Sequence, residues 1–471
     1  MSKDKKRINI LDPNADPVRL IMALVWPMII EEILSILVNF VDTAMVGSIG
    51  VNATASTALG HPAIEVCNGV AIGLGSGFGV MMSRRIGEGR KDLALKTMRQ
   101  SVYYIVVMGG FMTLLFSWVL ADNLPRWMGA QPDIWETSSE YLRYFGYSRG
   151  FIVAAVVGNS FLRGQGHTKE AMMGNVIANI TNCVLNFLFI YPTRELTVLG
   201  RTFTMWGLGR GVAGAAIASS FANFAMFVYV AFKLHDRNLS VPFSLGKPER
   251  LDTSLYRFSF GLGAPNALER LISSFGRMVC TSLLAGISNV VLSSHQLGGT
   301  AESIIFMSVM GFGMTGTTLV SQWLGAGDKD RAKLLAHETM RLAFIVGCGA
   351  TAIVFIFCPY IISFFTPSQE VVKMATLALR IQCVVEPLEA LGMATNGVLR
   401  GAGDVRITAI TSLLGMWGIR VPLAYILIKF FGWGLLGVWV PMAIDWVLRF
   451  AILYTRYRKG RWVDAWGRKS H

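Results

Sequence analysis

Nine acids fall inside stretches of this sequence that are otherwise apolar enough to cross a membrane: Glu31, Glu32, Asp42, Glu65, Glu269, Glu302, Glu386, Glu389 and Asp445. An ionisable group at membrane depth costs roughly 2.5 to 3.5 kcal/mol on insertion scales, so each implies a partner or a task. The chemistry open to a carboxylate there is reversible capture of a proton or a metal cation. Glu31 and Asp42 stand eleven residues apart, which at 100° per residue returns them to within about 20° of one helix face. Asn39 lies one turn from Asp42. His61, Glu65 and Asn68 recur at i, i+4 and i+7, and Asn175, Asn179, Asn182 and Asn186 at i, i+4, i+7 and i+11. Such an amide stripe either hydrogen-bonds between helices, at around 0.6 kcal/mol apiece, or coordinates a ligand.

The second half carries fewer amides and more charge. Asn266, Glu269, Arg270, Ser273 and Arg277 share one apolar stretch, His295 and Glu302 are seven apart on the next, and Glu386 and Glu389 follow Arg380. Asp445 stands i, i+4 to Arg449 and reads as an internal salt bridge. Arginines beside Glu269 and Glu386 allow charge pairing there too.

The elements that must hold these residues are membrane helices. Of the 471 residues 53% are hydrophobic and only 15% charged, with a mean hydropathy of +0.49. Soluble domains carry about 25% charged residues. Twelve runs reach the roughly 20 residues needed to span, near 18–46, 56–82, 100–121, 140–162, 170–191, 211–234, 255–284, 292–323, 342–364, 372–398, 407–430 and 434–456. Lys3, Lys5, Lys6 and Arg7 precede Asp16-Pro17, an N-cap followed by a favoured first helical residue, so the first helix reads as a retained span. Lysines and arginines collect in the tails and even-numbered connections; the odd-numbered side holds Arg126, Arg194, Arg201, Arg210, Lys373 and Lys429. By the positive-inside rule both termini are cytoplasmic, and the net charge of +14 is a topogenic signal rather than a nucleic-acid surface. The six cysteines sit along the spans with no C-x-x-C and read as core residues. Gly311-Phe-Gly313-Met-Thr-Gly316 fits a dinucleotide fingerprint but lies inside an apolar span; no phosphate-cradling loop, zinc motif or serine elbow occurs.

The chain is also a repeat. Shifted by 238 residues, SRRIGEGRKDLA (83–94) meets SQWLGAGDKDRA (321–332), Pro27 meets Pro265, Glu31 meets Glu269, and Gly73 and Gly75 meet Gly311 and Gly313; shifted by 237, NSFLRGQG (159–166) meets NGVLRGAG (396–403). Six spans per copy is an even number, so the copies share a topology and their pseudo-two-fold axis runs along the membrane normal. The expected fold is therefore an all-α integral membrane protein, twelve transmembrane helices in two pseudo-symmetric six-helix bundles around a central cleft. The bundles take residues 1–234 and 255–471, joined by a cytoplasmic linker, 235–254. Transporters are commonly built this way; a channel filter or a catalytic cluster is not visible.

Val41-Asp42-Thr43-Ala44-Met45-Val46-Gly47, FLRGQGHTK (161–169), VLNFLFI (184–190), GVAGAAIAS (211–219) and GVLRGAGD (397–404), taken in order, resemble the multidrug and toxic compound extrusion (MATE) family along essentially the whole chain. The resemblance implies a secondary antiporter, not an enzyme. It would expel organic, cationic or amphipathic compounds by alternating access in exchange for H+ or Na+ and use no cofactor. In the family an N-bundle cation site corresponds here to Asp42, Asn182, Asn186 and Ser219. The family often has aspartate at the position of Asn186, so a two-carboxylate Na+ site gives way to a single protonatable Asp42. Members with a C-bundle site use acids in the seventh and tenth helices, here Glu269 and Glu389, although the alignment puts the seventh-helix acid nearer Ser273. Glu31, Asn39, Glu65, Asn68 and Asn179 complete the residues expected at a substrate or second cation site. The partners implied are a small drug or toxic metabolite and membrane lipid, the location a bacterial plasma membrane, and a monomer suffices. The alternative reading, a flippase for a lipid-linked or cell-wall precursor, calls for Arg143, Arg149, Arg277, Arg380 and Arg420 to converge.

Overall fold

The computed structural model describes residues 9–198, 201–246 and 249–466. Lys3, Lys5, Lys6 and Arg7, read above as part of the orientation signal, lie outside the described residues. The first half holds helices α1 (Pro17–Gly47), α2 (Val51–Gly87), α3 (Lys91–Leu114), α4 (Ala121–Trp127), α5 (Trp135–Tyr147), α6 (Arg149–Gly164) and α7 (Thr168–Phe189), strands β1 (Pro192–Val198) and β2 (Arg201–Leu208), and α8 (Gly211–Leu234). The second holds α9 (Thr253–Ala285), α10 (Asn289–Gly325), α11 (Lys329–Phe365), α12 (Gln369–Gly401), α13 (Val405–Leu413), α14 (Val421–Lys429) and α15 (Leu436–Arg458). π-helical stretches Leu115–Leu120 and Leu414–Arg420 join α3 to α4 and α13 to α14, so each pair runs as one span. α5 and α6 follow each other across Ser148. Twelve spanning helices result among the described residues, six per half.

Nine of these, among the described residues, are long and apolar enough to cross a membrane by composition alone. The exceptions have physical reasons. α5 and α6 are 13 and 16 residues long and neither spans unaided. α9 carries Arg257, Glu269, Arg270 and Arg277, and α12 carries Arg380, Glu386, Glu389 and Arg400. The charged residues of α9 and α12 lower the apolar character of those two spans.

The all-α expectation needs one addition. β1 and β2 pair antiparallel in the fifth connection, from Pro192 opposite Leu208 to Val198 opposite Arg201. The Arg194 guanidinium lies over the rings of Tyr191, 3.9 Å from its centroid, and Phe187, 4.4 Å, which ties the hairpin base to the end of α7.

Packing divides the chain into two compact units. One comprises the chain up to Ile29, Ser83–Arg90 and everything from Ser254; the other comprises Ile30–Met82 and Lys91–Thr253. The repeat halves 1–234 and 255–471 are thus a different division. α1 passes from one unit to the other two residues beyond Pro27, whose ring removes a backbone donor from the helix. Within the first unit Leu20, Ile21, Leu24 and Val25 of α1 share a core with Phe312, Leu319, Val320 and Trp323 of α10, and Trp323 Nε1 donates to the Ile10 carbonyl at 3.1 Å. Within the second, Phe116, Tyr141, Leu142, Ile190, Ala215 and Ala216 form the core. There the segment expected as a linker is strapped to α3: Arg99 reaches the Ser244 carbonyl at 2.8 Å and Glu249 at 3.1 Å, Lys96 reaches Asp252 at 2.6 Å, and Gln100 reaches the Arg250 carbonyl at 2.9 Å.

The duplication is visible inside the first unit. Ser321 donates to Ser83, its counterpart 238 residues earlier, at 2.8 Å. Around that contact a Cβ on Gly87 would strike the Gln322 carbonyl, and one on Gly325 would strike the Arg84 carbonyl. Gly87 and Gly325 are again 238 residues apart, as are Arg84 and Gln322. The ends of α2 and α10 therefore cross backbone to backbone, which only glycine permits. Gly87→Ala and Gly325→Ala should each lower stability by about 1 to 3 kcal/mol, read as an earlier melt of the purified protein in detergent. Gly299→Ala, where a Cβ meets open space, should melt unchanged.

Candidate functional site

Two rungs join α1 to α7. Asn175 Nδ2 donates to Glu31 Oε1 at 2.7 Å, and Asn186 Nδ2 donates to Asp42 Oδ1 at 2.5 Å. The partners are 144 residues apart in both rungs, so the helices run parallel and in constant register. Eleven residues along each helix separate the rungs, about 16 Å at 1.5 Å per residue.

The Asp42 rung continues into a chain. Asn186 Nδ2 also donates to Asn182 Oδ1 at 3.1 Å, and Asn182 Nδ2 donates to Ser219 Oγ of α8 at 3.0 Å. Four expected residues from three helices are thereby connected. Asn186 is fully buried, whereas Asp42, Asn182 and Ser219 are half-buried. No arginine or lysine is paired with Asp42 among the described residues; its hydrogen-bond partner is an amide. Asn186 Oδ1 is buried without a hydrogen-bond partner. A buried orphan acceptor carries a desolvation cost of about 1 to 3 kcal/mol, and here it stands beside a carboxylate.

The Glu31 rung is different. Arg163 NH2 donates to Glu31 Oε1 at 2.5 Å, so the carboxylate has a fixed counter-charge. The repeat reproduces this in α9 and α12: Arg400 NH2 reaches Glu269 Oε2 at 2.7 Å and Asn396 Nδ2 reaches Oε1 at 3.2 Å. Arg163 and Arg400, like Asn159 and Asn396, are counterparts in the 237-residue alignment. Asn179, between the rungs, has a buried Nδ2 without a partner. Asn39 and Glu65 are exposed, and Asn68 Oδ1 accepts from Arg149 at 3.0 Å.

Glu389 is not brought to Glu269. It lies with Glu302 of α10 and Glu386 of α12, their carboxylate oxygens within 4.8 Å of one another, the one acidic group of this kind among the described residues. Gln382 Nε2 donates to Glu389 Oε2 at 3.2 Å, while Gln382 Oε1 and Glu386 Oε1 are buried and unpartnered. Glu386 and Glu389 are buried and Glu302 half-buried. Sequence reasoning found all three acids but not their convergence, which depends on the register between α10 and α12. Oxygen donors in this number suit a proton shared among carboxylates or a hard cation.

Asp445 is fully buried and held by both Arg449, at 2.5 and 2.9 Å, and Arg420, at 2.9 Å. A Cβ on Gly415 would run into this ion pair, which explains a glycine within the π-helical stretch. The arginines named for the flippase reading have separate partners: Arg143 pairs with Asp122, Arg149 lies 3.8 Å from the Phe145 ring centroid, Arg277 donates to Ser274, Arg380 stacks on Phe355, and Arg420 holds Asp445. That reading is not favoured.

Twelve helices in repeated halves, with carboxylates kept in the membrane on amides and on one another, define a multi-pass membrane transporter. The MatE family model matches residues 27–188 and again 265–426, two matches whose starts and ends both stand 238 residues apart. The chain belongs to the MATE family of multidrug efflux transporters. It is 26% identical to the probable multidrug resistance protein NorM of Thermotoga maritima over 445 residues, 94% of this chain and 92% of that protein. It is likewise 26% identical to the multidrug resistance protein NorM of Aliivibrio fischeri over 85% of each chain. Among solved structures it is similar to a MOP superfamily transporter from Pyrococcus furiosus, at 25% identity and a TM-score of 0.86 over 98% of this chain and 99% of that one. It is also similar to an outward-facing multidrug resistance MATE transporter, at 25% identity and a TM-score of 0.84 over the same shares.

Removing one partner of a buried ion pair costs about 3 to 5 kcal/mol because the other charge is stranded. Asp445→Asn should therefore melt well below wild type in detergent, and adding Arg449→Met should recover part of the loss.

Proposed function

We propose that this chain is a secondary active antiporter that exports organic, cationic or amphipathic compounds by alternating access, driven by protons entering through Asp42. The observation that carries the reading is the chain Asp42, Asn186, Asn182, Ser219 with the orphaned Asn186 Oδ1. Ionised Asp42 accepts from Asn186. Protonated Asp42 needs an acceptor instead, and Asn186 Oδ1 supplies one when the amide turns over. That turn withdraws the donor from Asn182 Oδ1, so Asn182 turns as well and the Ser219 hydroxyl reverses from acceptor to donor. One proton thus changes the direction of every hydrogen bond from α1 through α7 to α8. A cationic compound and the proton compete for one negative charge. The coupling is the difference in affinity between the two protonation states. A single carboxylate, with amide donors turned toward it, favours H+ over Na+.

The positive-inside pattern supports a cytoplasmic side for both termini, and the bacterial relatives support a bacterial plasma membrane. In proteoliposomes an imposed pH gradient should drive efflux of a cationic dye and an imposed Na+ gradient should not. Asp42→Asn should abolish the pH-driven component without altering the melt; full gradient-driven transport in that variant would overturn the assignment. Asn186→Asp, which adds a second carboxylate, should bring in a response to Na+.

A second coupling site in the later half is supported by the convergence of Glu302, Glu386 and Glu389. If the two sites act independently, Glu389→Gln should reduce the number of cations exchanged per dye molecule and leave Asp42-dependent transport in place. Stoichiometry read from reversal potentials distinguishes this from a purely structural cluster, which would leave the ratio unchanged.

A further inference from the structure

A cavity of about 500 Å³ opens where α3 begins and α8 ends, bordered by Lys91, His235, Arg237, Ser240 and Ser244, with Asp92 as its single acid. That volume falls within the range of ligand pockets, about 300 to 1,000 Å³. The neighbouring cations are already neutralised, Lys96 by Asp252 and Arg99 by Glu249. Lys91 and Arg237 have no carboxylate partner among the described residues, and they come from two different elements facing one space.

The pocket wall is built rather than loose. Val241 N donates to Gln165 Oε1 at 2.8 Å and Phe243 N to the Leu234 carbonyl at 2.7 Å. Arg99 donates to both the Ser244 carbonyl, at 2.8 Å, and Ser244 Oγ, at 3.1 Å, so the Ser244 hydroxyl proton is left to offer a ligand. His235 Nδ1 donates to the Ala231 carbonyl at 2.7 Å, and its ring stands edge-on to Phe243, centroids 5.3 Å apart. Two cations and two hydroxyls around one space form a phosphate receptor.

The setting identifies the source of the phosphate. The pocket sits at the ends of two spanning helices on the side read as cytoplasmic. Its lining includes apolar Leu95, Val241 and Phe243, and Leu245, next to the lining Ser244, is 76% exposed. Free phosphate makes no use of apolar walls, whereas a glycerophosphate with its first acyl carbons does. Basic pockets between membrane helices on the cytoplasmic side suit anionic headgroups. We propose that this pocket binds the phosphate of an anionic phospholipid and anchors the segment after α8 to the membrane.

The full-length protein, reconstituted in phosphatidylcholine vesicles with and without phosphatidylglycerol, tests this through lipid retained after extraction, read by native mass spectrometry, and through melting temperature. Wild type should retain phosphatidylglycerol selectively and melt later in its presence. Lys91→Gln and Arg237→Gln should each cut retention about fivefold, the factor equivalent to ~1 kcal/mol per surface cation, and Asp92→Asn should raise it. Inorganic phosphate added to protein in phosphatidylcholine should leave the melt unchanged; a shift matching that of phosphatidylglycerol would assign the site to free phosphate and overturn the lipid. Wild-type retention in the double variant, or an equal loss on Arg406→Gln at an exposed cation elsewhere, would overturn the pocket.

Discussion

Two hydrogen-bonded rungs hold α1 against α7, and the difference between them organises the first half. Both pair a carboxylate on α1 with an asparagine on α7 at the same 144-residue offset. In hydrocarbon a carboxylate has no water to turn to, so its partner decides what it does. At the Glu31 rung the partner set includes the Arg163 guanidinium, and the charge is settled permanently. At the Asp42 rung it is an amide, which satisfies a lone pair but brings no arginine or lysine to the charge. The first rung fixes register with a charged pair, and the second holds its carboxylate on an amide with no arginine or lysine paired to it among the described residues.

The same sorting applies to the other membrane acids. Glu269 and Asp445 answer arginines, as Glu31 does. Glu302, Glu386 and Glu389 answer chiefly one another, with one amide donor from Gln382. Three carboxylates in one buried group cannot all remain ionised without a cation among them. Acids held by an arginine are therefore separable from acids held by amides or by one another, before any comparison with relatives.

Periodicity carries information along one helix and loses it between helices, which explains what could be read from the sequence. The eleven-residue spacing of Glu31 and Asp42 and the stripe of Asn175, Asn179, Asn182 and Asn186 were visible, because both follow from 100° per residue. The resemblance to the family placed Asp42, Asn182, Asn186 and Ser219 in one set, and their side chains form one chain. That Asn175 belongs to Glu31 rather than to Asp42 needs the register of α1 on α7, which no local pattern encodes. Glu269 and Glu389 were grouped as the two acids of one site, but arginine and carboxylate neighbours from α12 and α10 separate them. The hairpin of β1 and β2 was missed although Thr202-Phe203-Thr204-Met205-Trp206 alternates, because a short strand between long apolar runs reads as loop. The strap on 244–252 depends on polar side chains of α3 that look like ordinary interfacial residues.

Duplication explains why framework and chemistry have diverged so differently. The glycine crossing at Gly87 and Gly325 and the ion pairs Glu31–Arg163 and Glu269–Arg400 occur in both copies. Each is set by backbone approach or by a buried charge, and losing either costs stability at once. The acids without a paired arginine have no such counterparts: at the 238-residue offset Asp42 corresponds to Cys280 and Glu302 to Ile64. An uncompensated carboxylate contributes nothing to folding and is costly to keep in lipid, so a copy that lost one would fold better. The two halves thus keep a common scaffold and separate acidic groups, one of amides around a single carboxylate and one of carboxylates around each other. Their affinities for a proton can then differ while the helices that carry them remain the same.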